Sequence, residues 1–173
     1  MCSSDLLRWI ETPHFRIGVA LPSCPVGSGK EWLQQLAGEL RALQRVLPRI
    51  DPKARQLDGW LRAHLVAARA ERIYARMQAR LGVDDAWFPR APGNDPAYPA
   101  TFRGLGPYLG MREKFAILLV TRGDSLQRYT AAFHARPTRE PVRLADAEFG
   151  CLTFAAAGDS GARLGADEEA LAT

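Results

Sequence analysis

The run Val26-Gly27-Ser28-Gly29-Lys30 lies between an apolar stretch and a helical one, where a loop that cradles phosphate would sit. It fails in detail. A Walker-type loop needs a glycine five residues before Gly29, and Cys24 stands there; Glu31 replaces the Ser or Thr that would hold magnesium. A carboxylate at that point would repel phosphates rather than receive them. The dinucleotide pattern fails too, because Trp32 occupies the place of the glycine that permits close approach. The run reads as a turn. The histidines are His14, His64 and His134, and no two of them have the close spacing by which one element supplies two zinc ligands. Ser160, within Asp159-Ser160-Gly161, lacks the flanks of a nucleophile elbow. Neither a catalytic nor a metal-ligating residue is therefore assigned within the chain. Cys24 and Cys151, with no C-x-x-C spacing, are either two small buried residues or a disulfide.

Two looser groupings could bind rather than react. Arg62, Arg69, Arg72, Arg76 and Arg80 recur along one helical stretch, as phosphate-contacting rows do. Glu71 interrupts the row and no aromatics interleave with it, so a solvated face is the stronger reading and nucleic acid a third-ranked partner. Asp84, Asp85 and Asp95, together with the aromatics of residues 83–112, could form a ligand lid or simply cap and cover the core.

Regular elements must position all of these. Phe15, Ile17, Val19 and Leu21 alternate with polar or small residues, the pattern of a half-buried strand. Leu33, Leu36, Ala37, Leu40, Leu43 and Leu47 predict an amphipathic helix from Lys30 to Leu47, stopped by Pro48 and Pro52. A second helix is predicted from about Leu57 to Leu81, with Val66, Ala70, Ile73, Met77 and Leu81 inward and Gly82 as its C-cap. The two form a helical hairpin. Residues 83–112 are rich in Pro, Gly and aromatics and read as a long packed loop. Lys114 to Thr121 is a continuous apolar run, predicting a central strand covered on both faces. A short helix follows from Ser125 to His134, with Leu126, Tyr129, Ala132 and Phe133 inward. A polar link then leads to a strand from Phe149 to Ala156, placed nearer an edge. The expected fold is α+β: one domain over 7–173, with a small mixed sheet of about three strands and the hairpin inserted between the first two. Residues 157–173 are expected to form a mobile tail.

At 173 residues, 47% of them hydrophobic, the chain can bury a single substantial core. The net charge of +4 comes from an arginine excess, with only Lys30, Lys53 and Lys114 as lysines. That skew fits a GC-rich coding bias as well as an anionic partner, so it supports solubility more than nucleic-acid binding. No run of about 18 apolar residues suggests a membrane span. Residues 1–6 resemble the in-frame translation of a sequencing adapter, which would make them a non-native leader.

Glu11-Thr12-Pro13-His14-Phe15-Arg16-Ile17 resembles the opening strand of gluzincin-type, peptidase MA-like bacterial metallopeptidases. The order that follows is similar as well: a helical segment, the Lys114–Val120 strand, a short helix, then the strand Phe149-Gly150-Cys151-Leu152-Thr153-Phe154. The resemblance implies a zincin N-lobe-like frame. It also implies that the next element would be a helix carrying H-E-x-x-H, whose histidines bind zinc and whose glutamate activates water. Asp167 to Thr173 reads as the opening of such a helix, so the chain is expected to be the N-terminal portion of a gluzincin-like metallopeptidase, inert as it stands, with zinc a cofactor of later residues. By the same analogy Gly150, Cys151, Leu152, Thr153 and Phe154 would form the substrate-facing edge, where an extended peptide or protein substrate pairs with backbone groups. The parent would be exported or envelope-associated. The alternative expectation is a complete, non-enzymatic intracellular α/β binding or scaffold protein.

Overall fold

The alternation that begins at Phe15 builds one strand, and a second, shorter strand precedes it. In the computed structural model, which describes residues 7–90, 106–146 and 151–158, β1 (Arg8–Glu11) runs antiparallel to β2 (Phe15–Val19), with Ile10 opposite Ile17 and Trp9 opposite Gly18. The indole of Trp9 lies over Gly18, where an added Cβ would sit 3.0 Å from the ring. Thr12 closes the connection by accepting the Phe15 N–H at 3.0 Å. After β2 come a two-residue strand β3 (Cys24–Pro25), helix α1 (Lys30–Gln44), a second two-residue strand β4 (Gln56–Leu57) and the long helix α2 (Gly59–Leu81). A single turn, α3 (Trp87–Arg90), precedes β5 (Phe115–Val120). Helix α4 (Gly123–His134), β6 (Val142–Asp146) and β7 (Cys151–Ala157) complete the order.

The main sheet has the order β1-β2-β5-β7-β6, while β3 and β4 pair separately. β2, β5 and β7 run parallel to their neighbours in that order, and β1 and β6 are antiparallel at the two edges. Parallel central strands require helical crossovers and cover on both faces. Phe115, Ile117 and Leu119 of β5 join Phe15, Ile17 and Val19 beneath Ala63, Ala67, Ala70 and Tyr74 of α2. Leu118 and Val120 turn the other way and pack with Leu126 of α4 and with Ala155 and Ala157 of β7. A third cluster, Leu36, Leu40, Ile50, Leu57, Leu61 and Leu65, joins α1 and β4 to the outer side of α2. Helix α2 is thus wedged between the sheet and α1.

The α+β class and the central place of β5 agree with the expectation, but the sheet has five strands rather than three. β1 and β6 escape a search for apolar periodicity because edge strands are short and carry charge; Arg8, Glu11, Arg143 and Asp146 are in them. Strand β7 lies one strand in from an edge, nearer to it than the central β5 as expected, and is paired with β5 on one side and β6 on the other. Met77 and Leu81 are exposed although they continue the stripe of Ala63, Ala67, Ala70 and Tyr74 that packs on the sheet. On α4, Leu126 and Tyr129 turn inward as expected, but Ala132 and Phe133 are exposed and Thr130 is fully buried instead. The hydroxyl of Thr130 makes burial tolerable by donating to the carbonyl of Leu126 and accepting the Thr138 N–H. The 83–112 loop contains α3 and a tight turn at 106–111, with 91–105 outside the described residues. Residues 1–6 and 159–173 also lie outside them, while Ala157, expected to open a mobile tail, is a buried residue that closes β7.

Asp58 caps α2, its carboxylate accepting the Leu61 N–H at 2.7 Å, and Gly82 ends the helix in the left-handed region at φ 66°. Asp58→Ala is expected to cost about 1 kcal/mol, read as a lower urea midpoint with an unchanged slope.

Candidate functional site

Polar side chains converge where β2 begins. Pro13 leads into His14, whose backbone N–H donates to Glu71 Oε1 at 3.0 Å. The ring places Nδ1 2.6 Å from Glu71 Oε2 and Nε2 2.9 Å from Asp85 Oδ2. Glu71 comes from the middle of α2 and Asp85 from the turn that follows its Gly82 C-cap. Tyr74, one helical turn beyond Glu71, stacks on the imidazole at 3.8 Å between centroids and 16° between planes. Its hydroxyl donates to Asp85 Oδ1 at 2.5 Å, and Gln78 Nε2 donates to the same oxygen at 2.8 Å. From the 106–111 turn, Tyr108 presents its ring edge to His14 at 6.5 Å.

An ionised carboxylate only accepts, so a ring with a carboxylate at each nitrogen is satisfied in full when both nitrogens carry protons. Burial is the largest influence on His14 and works against that charge. Hydrogen bonds to Glu71 and Asp85, with their charges, together outweigh it and raise the pKa above the ordinary 6.5. Burial likewise pushes Glu71 upward, but hydrogen bonds from Thr12 and His14 more than reverse this and hold its carboxyl below the usual range. The phenol of Tyr74 is pushed well above its ordinary value by burial and by the neighbouring Asp85 charge.

This arrangement holds a proton and fastens three elements. The imidazolium offers no lone pair to a metal or to a substrate proton, so His14 serves neither as ligand nor as base while the cluster is closed. Among the described residues no group of three metal-ligating side chains converges on one point. Beside the cluster lies a shallow depression of about 370 Å³ lined by Gln78, Ala79, Gly82, Val83, Asp84 and Trp87.

The other sequence candidates separate. Asp85 belongs to the His14 cluster, Asp84 lines the depression, and Asp95 lies outside the described residues. His64 packs against Trp60 at 4.1 Å, and burial lowers its pKa. His134 closes α4 near Tyr129. Cys24 on β3 and Cys151 at the start of β7 do not form a disulfide. The Val26–Lys30 run connects β3 to α1, with Gly27 and Gly29 close to the Trp32 side chain.

The arginine row is not a solvated face along its length. Arg62 is buried and donates to the carbonyl of Pro22 at 2.6 Å. Arg69 and Arg72 both converge on Glu39 of α1, with Arg69 Nη2 2.7 Å from Oε2. Three of the row's five guanidinium groups thus serve the interior rather than a polyanion.

The strand that the resemblance singles out is not a free edge. Cys151, Leu152, Thr153 and Phe154 are paired on the β6 side to Asp146, Ala145, Leu144 and Arg143. Thr153 and Phe154 also face β5 through Ala116 and Ile117, which leaves them no backbone edge for a peptide; Gly150 lies outside the described residues. Among those residues no strand pairs with the outer side of β6. Alternate residues of Val142–Asp146 therefore turn an N–H and a C=O away from the sheet.

Sequence reasoning treated His14 as a lone strand residue and Glu71 as a break in the arginine row. Their separation, 57 residues from His14 to Glu71 and 71 to Asp85, leaves no local spacing to read. The chain matches no family model, no curated protein and no solved structure.

Proposed function

We propose that this chain is the sheet lobe of a gluzincin-like protein and that its part is to hold an extended polypeptide along β6. The observation that carries the reading is an outward row of backbone groups on an antiparallel edge strand, next to the strand that the family resemblance singles out. Element order supports it in part: β2, a helical segment, β5 and α4 come in the order of the resemblance, whereas the paired helices α1 and α2 depart from it and β6 intervenes before β7. Main-chain pairing provides affinity without a sequence code, and pockets beside alternate residues add selectivity. Arg143 and the acidic end at Asp146 discourage pairing with a second copy while leaving the edge open to a flexible chain. Peptide-bond hydrolysis would need zinc ligands beyond those described.

The probe is reduced, unfolded casein, and the measurement is amide exchange resolved along β6. Slowing of alternate amides between Val142 and Asp146, with β1 unaffected, is the expected outcome. Equal exchange with and without casein would remove the reading. A second reading, a binding module with no peptidase chemistry, is favoured by the closed state of His14, whose ring is fully engaged by carboxylates. Both readings leave casein intact with this chain alone, and the coding sequence that follows Thr173 separates them: an H-E-x-x-H helix there supports the peptidase frame, and its absence supports the module.

A further inference from the structure

We propose that His14 is a proton-operated clasp that fastens the turn after α2 to the start of β2 and opens when the ring loses its charge. The geometry carries this. One imidazole bridges two carboxylates from separate segments, Glu71 within α2 and Asp85 beyond its C-cap. The two arms are unequal. Glu71 also holds the His14 backbone N–H and is 26% exposed, whereas Asp85 is 39% exposed and its arm is the longer.

A neutral imidazole keeps one N–H. The Glu71 arm retains it, and a ring lone pair then faces Asp85 Oδ2, turning attraction into repulsion. Asp85 keeps Tyr74 and Gln78 as donors, so the effect is local loosening at 83–88 rather than unfolding.

The charged and titratable groups around the ring are few. Helix α2 contributes Glu71 and Tyr74, the turn contributes Asp85, and the 106–111 turn contributes Tyr108. Lys114 anchors the approach to β2 through the carbonyl of Thr12 at 2.7 Å and Glu11 at 2.8 Å. Lys114 is the only cation among these besides His14 itself, and its ammonium is held by its own carboxylate.

The direction in pH follows from the sign of the shifts. The folded pKa of His14 is raised, so its contribution is complete below 6.5 and is lost as pH rises through the folded value. Glu71 is lowered, so its contribution is lost only as pH falls through its own depressed value. The clasp is closed between the two.

The test is amide-exchange protection of 83–88 in the whole chain, corrected for intrinsic exchange, from pH 5.5 to 9, with Leu126 and Thr130 of α4 as internal reference. Protection at 83–88 is expected to fall about tenfold for each unit by which His14 titrates above its ordinary value. The reference should not change. In His14→Gln the pH dependence should vanish. Asp85→Asn, which keeps the Glu71 arm, should lower the His14 titration midpoint read by proton NMR. Constant protection in the parent chain, the same pH dependence in His14→Gln, or an unmoved midpoint in Asp85→Asn would each overturn the clasp.

Discussion

Replacing Glu39 by alanine is expected to lower stability by about 3–5 kcal/mol, the cost of breaking a buried ion pair from one side. The Glu39 side chain is 5% exposed and that of Arg69 is 11% exposed, while Arg72 reaches in from the half-exposed outer side of α2. Burial would raise the pKa of Glu39, but hydrogen bonds and charge from Arg69, then Arg72, outweigh it and hold the carboxyl below its usual range. The fork of Arg69 donates to both carboxylate oxygens, through Nε at 3.1 Å and Nη2 at 2.7 Å. Alanine strips a buried guanidinium of that partner and opens the junction between α1 and α2. Urea denaturation of Glu39→Ala beside Glu39→Leu/Arg69→Leu checks the cause. The double variant should recover most of the loss, since apolar replacement of both buried charges removes the desolvation cost with the attraction. A single-variant loss below about 1 kcal/mol would place the pair with ordinary surface bridges. The contribution of Glu39 is complete above its ordinary 4.5 and declines as pH falls through the depressed folded value, so the parent and Glu39→Ala should converge in acid.

Tyr74→Ala is expected to cost about 4 kcal/mol, by loss of a large buried ring and the cavity it leaves. Tyr74 is 2% exposed and stands between the core and the clasp. One side of its ring meets Phe15 and Phe115 edge-on, each at 6.0 Å, and the other stacks on His14. Tyr74→Phe separates the two roles. It keeps the ring and removes the donor to Asp85 Oδ1, so the expected loss is about 1–2 kcal/mol. Thermal unfolding of both variants at one pH checks the difference. Equal losses would mean that the hydroxyl, not the ring, carries the site.

The elements whose burial is set by local pattern were legible. Leu36 and Leu40 on α1, the Gly82 cap of α2 and the apolar run of β5 all stand where periodicity places them. The helix faces were less so. Met77 and Leu81 look inward on a helical wheel, yet both are exposed, and the buried part of that face ends at Tyr74. Phe133 is apolar but stands off the narrow strip of α4 that meets Ala155 and Ala157, and Thr130 takes the buried place because its hydroxyl finds partners nearby. On the edges the signal was faint, since β1 and β6 carry charge and run four and five residues.

From residue types alone the chain determines an α+β frame, two amphipathic helices between its first two apolar strands, and the lack of a local phosphate or zinc motif. Each of these depends on neighbours within a helical turn or a strand repeat, so each is written in a short stretch of sequence. Strand order, the identity of the edge, the burial of Glu39 between arginines of another helix and the His14 clasp depend on groups tens of residues apart. Such groups meet only when β2 and β5 pair in parallel and α2 is laid across them, because chain spacing carries no record of a contact that closure of the sheet creates.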